Sequence, residues 1–323
     1  MTTNISKKVF GPVPSRRLGR SCGINIIPAK ICSYSCVYCQ IGKTTHLQTD
    51  RGSFFPPDEI LNEVGNTLEK ARTKGIDVDY LTFVANGEPT LDSNLGHMLD
   101  DAKTLGVKTA LISNASLIWD SNVQEICRKA DWVSLKIDAV QEKIWKRINR
   151  PHKTLELKLI LDGILEFARG FEGNLVTETM LVEGVNDYDS HLLGLAEYLN
   201  TLQPDIAYLS IPIRPPTVKS VRSPSEEIIN KAYQIISSRI RIAECLTAYE
   251  GNYFDRTGGV EENILNITSV HPMREDAIRE FLRQGDADWL IIEELIKQKK
   301  LIKTFYNNRN YYIRSSPKGL DRE

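Results

Sequence analysis

Short runs of β-branched and aromatic residues alternate along this chain with longer stretches that repeat apolar residues every three or four positions. That alternation is the signature of parallel strand–helix units, and it limits the fold more than any other feature. Candidate strands fall at residues 24–28, 80–85, 107–113, 132–137, 175–182 and 206–213. Candidate helices fall at 58–72, 94–105, 121–129, 154–168, 190–202 and 225–239. Start signals agree: Pro56-Pro57-Asp58-Glu59 and Ser223-Pro224-Ser225-Glu226-Glu227 put proline and acid at the opening of a first turn. Six such units predict an α/β fold, either an incomplete β/α barrel or an open doubly wound sheet. The flexible stretch Arg256-Thr257-Gly258-Gly259 marks a boundary between units 1–257 and 258–323. Beyond it, helices at 275–283 and 289–299 and a hairpin of 301–306 with 310–314 around Asn307-Asn308-Arg309 read as a small winged-helix domain.

Composition excludes several classes. Of 323 residues 41% are hydrophobic and 26% charged, with a formal net charge of −1, the profile of a globular protein. No apolar run approaches the roughly 18 residues of a membrane span, and the opening MTTNISKKVF lacks the apolar stretch of a secretory signal, so a cytoplasmic protein without a membrane partner is expected. The charge is uneven: Lys7, Lys8, Arg16, Arg17, Arg20, Lys30, Lys43 and Arg51 stand against Asp50 alone in the first 52 residues. Such a segment faces an anionic ligand or is a solvated strip.

Of the six cysteines, Cys32, Cys36 and Cys39 lie within eight residues, while Cys22, Cys127 and Cys245 are scattered. A disulfide framework does not suit a chain of this length without an export signal. Three thiolates on a tight loop can hold three irons of a 4Fe–4S cluster and leave the fourth iron open. Structural zinc, with His46 as a fourth ligand, is the alternative. His97 reads as an ordinary surface or core residue.

The loop Cys32-Ser33-Tyr34-Ser35-Cys36-Val37-Tyr38-Cys39 resembles the C-x3-C-x2-C loop of radical S-adenosylmethionine (SAM) enzymes. Ala85-Asn86-Gly87-Glu88-Pro89 resembles that family's Gly-Gly-Glu-Pro segment, with Asn86 in place of the first glycine. The resemblance implies a partial (β/α)6 TIM-type barrel carrying a 4Fe–4S cluster on the three cysteines. It places Tyr38 near the adenine of SAM, and Gly87, Glu88 and Pro89 at its methionine amine. Ser113 and Asn114 fall at the position that reaches the ribose, and Lys136 and Asp138 at one that reaches carboxylate or ribose, with Glu178 facing inward. The implied activity is reductive cleavage of SAM to a 5′-deoxyadenosyl radical, which abstracts hydrogen from a substrate not identified by the sequence.

The resemblance narrows to the branch related to wyosine-type tRNA base-modification enzymes. It rests on Gly11-Pro12-Val13-Pro14-Ser15-Arg16-Arg17-Leu18-Gly19-Arg20, the segment from Glu178 to Asp187, and Ile267-Thr268-Ser269-Val270-His271-Pro272-Met273, so it spans about residues 10–314. The tRNA enzymes of that branch carry a second cysteine cluster, to which the dispersed Cys22, Cys127 and Cys245 do not correspond. Expected partners are SAM, an electron donor such as flavodoxin or ferredoxin, and a tRNA or protein substrate. Arg214, after the sixth strand, is the candidate substrate contact. Arg16, Arg17 and Arg20 can grip a phosphate or carboxylate, the alternative being that Arg16 and Arg17 pair with barrel acids, and Tyr249, Tyr253 and Phe254 could wall the site. A competing reading is a winged-helix recognition protein for peptide or nucleic acid with an attached electron-transfer domain; the mixed charge around Lys297-Gln298-Lys299-Lys300 argues against a DNA-reading face.

Overall fold

A computed structural model describes residues 8–246, 259–270 and 272–315. The chain opens with β1 (Val9–Ser15) and β2 (Gly19–Ile24), followed by the two-residue strands β3 (Ile31–Cys32) and β4 (His46–Leu47). Next come α1 (Pro57–Thr73), β5 (Tyr80–Phe83), α2 (Leu95–Lys103), β6 (Lys108–Ser113), α3 (Ser121–Cys127) and β7 (Trp132–Lys136). Two consecutive helices, α4 (Glu142–Ile148) and α5 (Leu157–Arg169), precede β8 (Asn174–Met180), α6 (Asp189–Leu202), β9 (Ile206–Ser210), α7 (Glu226–Ser237) and β10 (Ala243–Leu246). Among the described residues the main sheet has eight strands in the order β1-β2-β5-β6-β7-β8-β9-β10. Every neighbouring pair from β2 onward is parallel, and β1 pairs antiparallel with β2 at the edge.

The sequence pattern explains these elements. Helix α1 takes Pro57 in its first turn with Asp58 and Glu59, ends on Lys70 and Arg72, and buries Ile60, Val64 and Ala71 on one face. Helix α3 is capped by Asp120, whose side chain accepts from Asn122 N at 2.9 Å, a contact of about 1 kcal/mol. Successive strand residues alternate between two faces. Leu81, Phe83, Leu111, Val133, Leu135, Leu175 and Leu209 pack against the helices in the large core. Ala110, Trp132, Val176, Tyr208 and Leu246 form a separate cluster on the opposite face with Leu18. The turn after β1 thus reaches the far edge of the sheet, and Arg16 Nη1 also donates to the Leu246 carbonyl at 2.7 Å. The sheet is curled, and its inner floor is apolar. By the same alternation Lys136, Glu178 and Ser210 continue that inner face above the floor.

The sheet departs from the sequence expectation at both of its ends. The first parallel strand is Gly19–Ile24 and not 24–28; Asn25 to Pro28 instead lead out of the sheet toward the cysteines. Among the described residues the parallel strands number seven and not six, because Ala243–Leu246 adds a last one. Helix α4 was not anticipated. The boundary at 256–259, and the aromatics Tyr249, Tyr253 and Phe254, lie outside the described residues, Gly259 excepted. After it, α8 (Val260–Val270), β11 (Met273–Arg274), α9 (Glu275–Gln284), α10 (Leu290–Lys297), β12 (Leu301–Tyr306) and β13 (Arg309–Arg314) build a second core around Ile264, Phe281, Ile292, Leu295 and Tyr312. Helix α8 was also missed. The hairpin turns on Asn307 and Asn308, both at positive φ (45° and 57°), which asparagine tolerates, and the strand order is β11-β13-β12.

Candidate cofactor and active site

The three clustered cysteines sit on a loop that leaves β3 and returns to it. Strand β3 pairs with β4, and Gln48 N donates to the Cys32 carbonyl at 3.0 Å, closing the base of the loop. Within it Cys39 N donates to the Cys36 carbonyl at 3.1 Å. The thiols are free and half-buried. Two outside segments hold the loop. The C-terminal end of α4 accepts from Ser35 N and Val37 N through the carbonyls of Asn149 and Ile148, both at 2.9 Å, and His152 N donates to the Ser33 carbonyl at 2.9 Å. Trp145 of α4 donates from Nε1 to the Tyr34 hydroxyl at 3.1 Å, its ring edge-on to the tyrosine at 5.9 Å. From the other side, Thr217 Oγ1 donates to the Cys39 carbonyl at 2.6 Å and Val218 N to the Val37 carbonyl at 3.1 Å.

Side-chain amides point at two of the sulfurs: Asn114 Nδ2 at Cys32 Sγ (3.5 Å) and Asn149 Nδ2 at Cys36 Sγ (3.4 Å). Burial, then Cys36 and Glu88, push the Cys32 thiol far up, while burial and Asp138 push Cys36 up to about 12. Bare, these thiols are protonated at neutral pH; bound metal deprotonates them, and the amide donors favour that charged form. Among the described residues no three His, Cys, Asp or Glu side chains converge on a single-ion position, and His46 is exposed on β4. Three thiols on one tight loop, with amide donors aimed at two of them, fit a group in which each sulfur meets its own metal.

The segment after β5 lies directly against this loop. Gly87 has no room for a side chain, since a Cβ there would stand 1.7 Å from the Ile31 carbonyl oxygen. Glu88 is buried, and its carboxylate accepts from Thr90 N (3.0 Å), Thr90 Oγ1 (2.7 Å), Ser113 Oγ (2.7 Å) and Asn114 N (2.7 Å). Burial raises its pKa against these four donors. Glu88 and Ser113 are thus a strut tying the ends of β5 and β6 together, and Pro89 opens the short turn Pro89–Leu91 that completes it. Asn86, in place of the family's glycine, leaves its buried Oδ1 without a hydrogen-bond partner among the described residues.

Above the apolar floor lies a layer of charge. Glu178 pairs with Lys136 Nζ at 3.1 Å and with Arg17, and accepts from Ser210 Oγ at 3.0 Å. Burial disfavours its ionised form, but the two cations overcome that and hold it far below the usual carboxylate range. Lys136 also stands 5.2 Å from the centre of the Tyr38 ring, and the Tyr38 hydroxyl donates to Asp138. Arg17 therefore pairs with an interior acid, Arg16 with backbone of β10, and Arg20 is exposed with its main-chain N bonded to Asp79. Arg214 is buried with Nη1 on Gln40 Oε1 at 2.9 Å, one residue past Cys39. The carbonyls just before it accept from the second unit: Tyr306 donates to Pro212 at 2.7 Å and Tyr311 to Ile213 at 2.8 Å. Cys22, Cys127 and Cys245 lie apart on β2, α3 and β10. Sequence reading missed Asn149, whose only local signal is its place at the end of a short helix before Arg150-Pro151.

Comparison with known proteins agrees with this geometry. Residues 26–196 match the radical SAM superfamily. A UPF0026 protein of Methanocaldococcus jannaschii is 44% identical over 308 residues, 95% of each chain. In fold, the chain is similar to a radical SAM methyltransferase from Sphaerobacter thermophilus (TM-score 0.54, 15% identity, 71% of this chain and 67% of that one). It is also similar to TYW1 with a lysine–pyruvate adduct bound (TM-score 0.53, 16% identity, 69% of this chain and 76% of that one). The chain belongs to the radical SAM superfamily and is an enzyme whose cofactors are those of that family, a 4Fe–4S cluster and SAM.

Proposed function

We propose that Cys32, Cys36 and Cys39 hold the cluster by three irons and that SAM completes the fourth, so that this chain is a SAM-cleaving hydrogen abstractor. The observation that supports it is the convergence at one end of the sheet: three free thiols, two of them facing amide donors, beside a Gly87 backbone with no space for a side chain. When bound, cluster and SAM together supply one-electron cleavage to methionine and a 5′-deoxyadenosyl radical. The chain's own part is to hold and screen them. The backbone of Gly87, together with the side chain of Asn86, offers oxygen acceptors to the methionine amine, with Glu88 and Ser113 as the strut beneath and Pro89 fixing the turn. Asn114 lies between cluster loop and β6, Tyr38 offers a ring face to the adenine, and Lys136 can meet the SAM carboxylate while Glu178 keeps it charged.

Residues 1–257 form the catalytic unit, an incomplete barrel, and residues 258–323 a winged-helix-like unit. The tyrosine contacts to the Arg214 segment make that second unit a cover for the substrate side of the site, with Arg214 as the substrate contact. A wyosine-type tRNA substrate is the second reading, favoured by the fold similarity to TYW1. An oxygen-sensitive cluster reduced by a flavodoxin- or ferredoxin-type donor suits the cytoplasm, and no helix among the described residues is long and apolar enough to cross a membrane. The test is anaerobic reconstitution followed by dithionite and SAM: 5′-deoxyadenosine is expected from the native chain and none from Cys36→Ala. Equal yield from both contradicts the assignment.

A further inference from the structure

Asn149 ends α4 and is buried, 113 residues from Cys36 in sequence. Its side-chain amide has two N–H groups, and the structure gives each a partner: Cys36 Sγ at 3.4 Å and Asp138 Oδ2 at 2.6 Å. Asp138 cannot swing away. It is 3% exposed, its Oδ1 accepts from Met180 N at 2.8 Å, and its Oδ2 also takes the Tyr38 hydroxyl. The contact with sulfur is built in from the main chain as well. The bonds from Ser35 N to the Asn149 carbonyl and from Val37 N to the Ile148 carbonyl, both 2.9 Å, bracket Cys36 and fix its register against Asn149. Asn149 therefore stands between a buried carboxylate and a cysteine sulfur, turning a donor toward each.

We infer that Asn149 is a positioning residue that raises the reduction potential of the cluster by donating an N–H···S hydrogen bond to Cys36, with Asp138 fixing the orientation of the amide. The inference rests on Cys36 being an iron ligand. Reduction adds one electron to the cluster, and part of that charge falls on the cysteine sulfurs. A donor aimed at a sulfur stabilises the reduced form more than the oxidised one. Without the amide, that stabilisation is lost and the Asp138 carboxylate is left less screened; both effects move the potential the same way.

The test is an anaerobic redox titration of the reconstituted full chain, with dithionite as the electron source and electron paramagnetic resonance as the readout of the reduced cluster. Asn149→Leu is expected to shift the midpoint potential to a more negative value at undiminished iron content. Asn149→Ser, which disturbs packing less, is expected to shift it in the same direction and serves if the leucine variant does not fold. Thr217→Val removes a tether from the same loop, the hydroxyl bonded to the Cys39 carbonyl, but no donor to sulfur, and should leave the potential unchanged. An unchanged potential in the Asn149 variants, or an equal shift in Thr217→Val, overturns the inference while leaving the cluster assignment intact. A native chain that takes up no four-iron cluster removes that assignment and this inference with it.

Discussion

At Gly87 a single methyl group decides whether the site can form. A Cβ would meet the Ile31 carbonyl at 1.7 Å, and that oxygen belongs to backbone that cannot rotate aside, so Gly87→Ala must push β3 and the cysteine loop away. Overpacking of this kind costs about 1–3 kcal/mol, so thermal unfolding should shift down and iron uptake on reconstitution should fall with it. Glu178 carries a different kind of constraint, since it neutralises two cations at once. Glu178→Gln leaves Lys136 and Arg17 without their carboxylate and should cost about 3–5 kcal/mol in denaturant unfolding. The sign of its pH dependence is set by the depressed pKa: the stabilisation is complete above the unfolded carboxylate value of about 4.3 and is lost as pH falls below it. The gap between native and variant stability should therefore stay constant from about pH 7 to pH 5 and narrow in acid.

Among the elements, α4 shapes the site most and shows least in sequence. Its seven residues, Glu142–Ile148, span two turns, too few for an apolar period to declare itself, yet it carries Trp145 and delivers Asn149. Trp145→Phe removes the Nε1 donor to Tyr34 and should cost about 1 kcal/mol, with faster loss of iron to a chelator than in the native chain. Strands β5 to β9 are legible because they are short, rich in β-branched residues and largely hydrophobic, whereas GRSCGI of β2 and AECL of β10 carry too little of that pattern. Strand β1 is not legible either: VFGPVPS carries a glycine and two prolines, which oppose a strand and are tolerated here at the sheet edge. The site divides in the same way. Cysteines within eight residues and a Gly-Glu-Pro turn can be read locally, whereas the Asn149–Cys36 contact joins residues 113 apart and has no local trace. Glu88 is recognisable as a site position and Thr90 is its neighbour in sequence, but its contacts with Ser113 and Asn114 need β5 and β6 side by side.

At the scale of the whole molecule, the second unit meets the loop after β9 through Tyr306 and Tyr311, and several of its lysines have acidic neighbours. Lys300 pairs with Glu261 at 3.2 Å, Lys303 with Glu275 at 3.8 Å and Lys297 with Glu294 at 3.9 Å, so three lysines of the basic run have acids beside them in space. Duplex DNA should accordingly bind weakly in gel-shift assays at physiological salt, and tight, salt-sensitive binding would contradict the role of a cover. The proposed chemistry requires three sulfurs gripping a four-iron cube that is one protein ligand short. Metal and sulfide analysis of anaerobically prepared chain tests that most directly. About four irons and four sulfides per chain are predicted for the native protein, with the reduced-cluster resonance altered by added SAM and the iron lost in Cys32→Ala, Cys36→Ala or Cys39→Ala. One zinc per chain with no sulfide, retained through those substitutions, would contradict it.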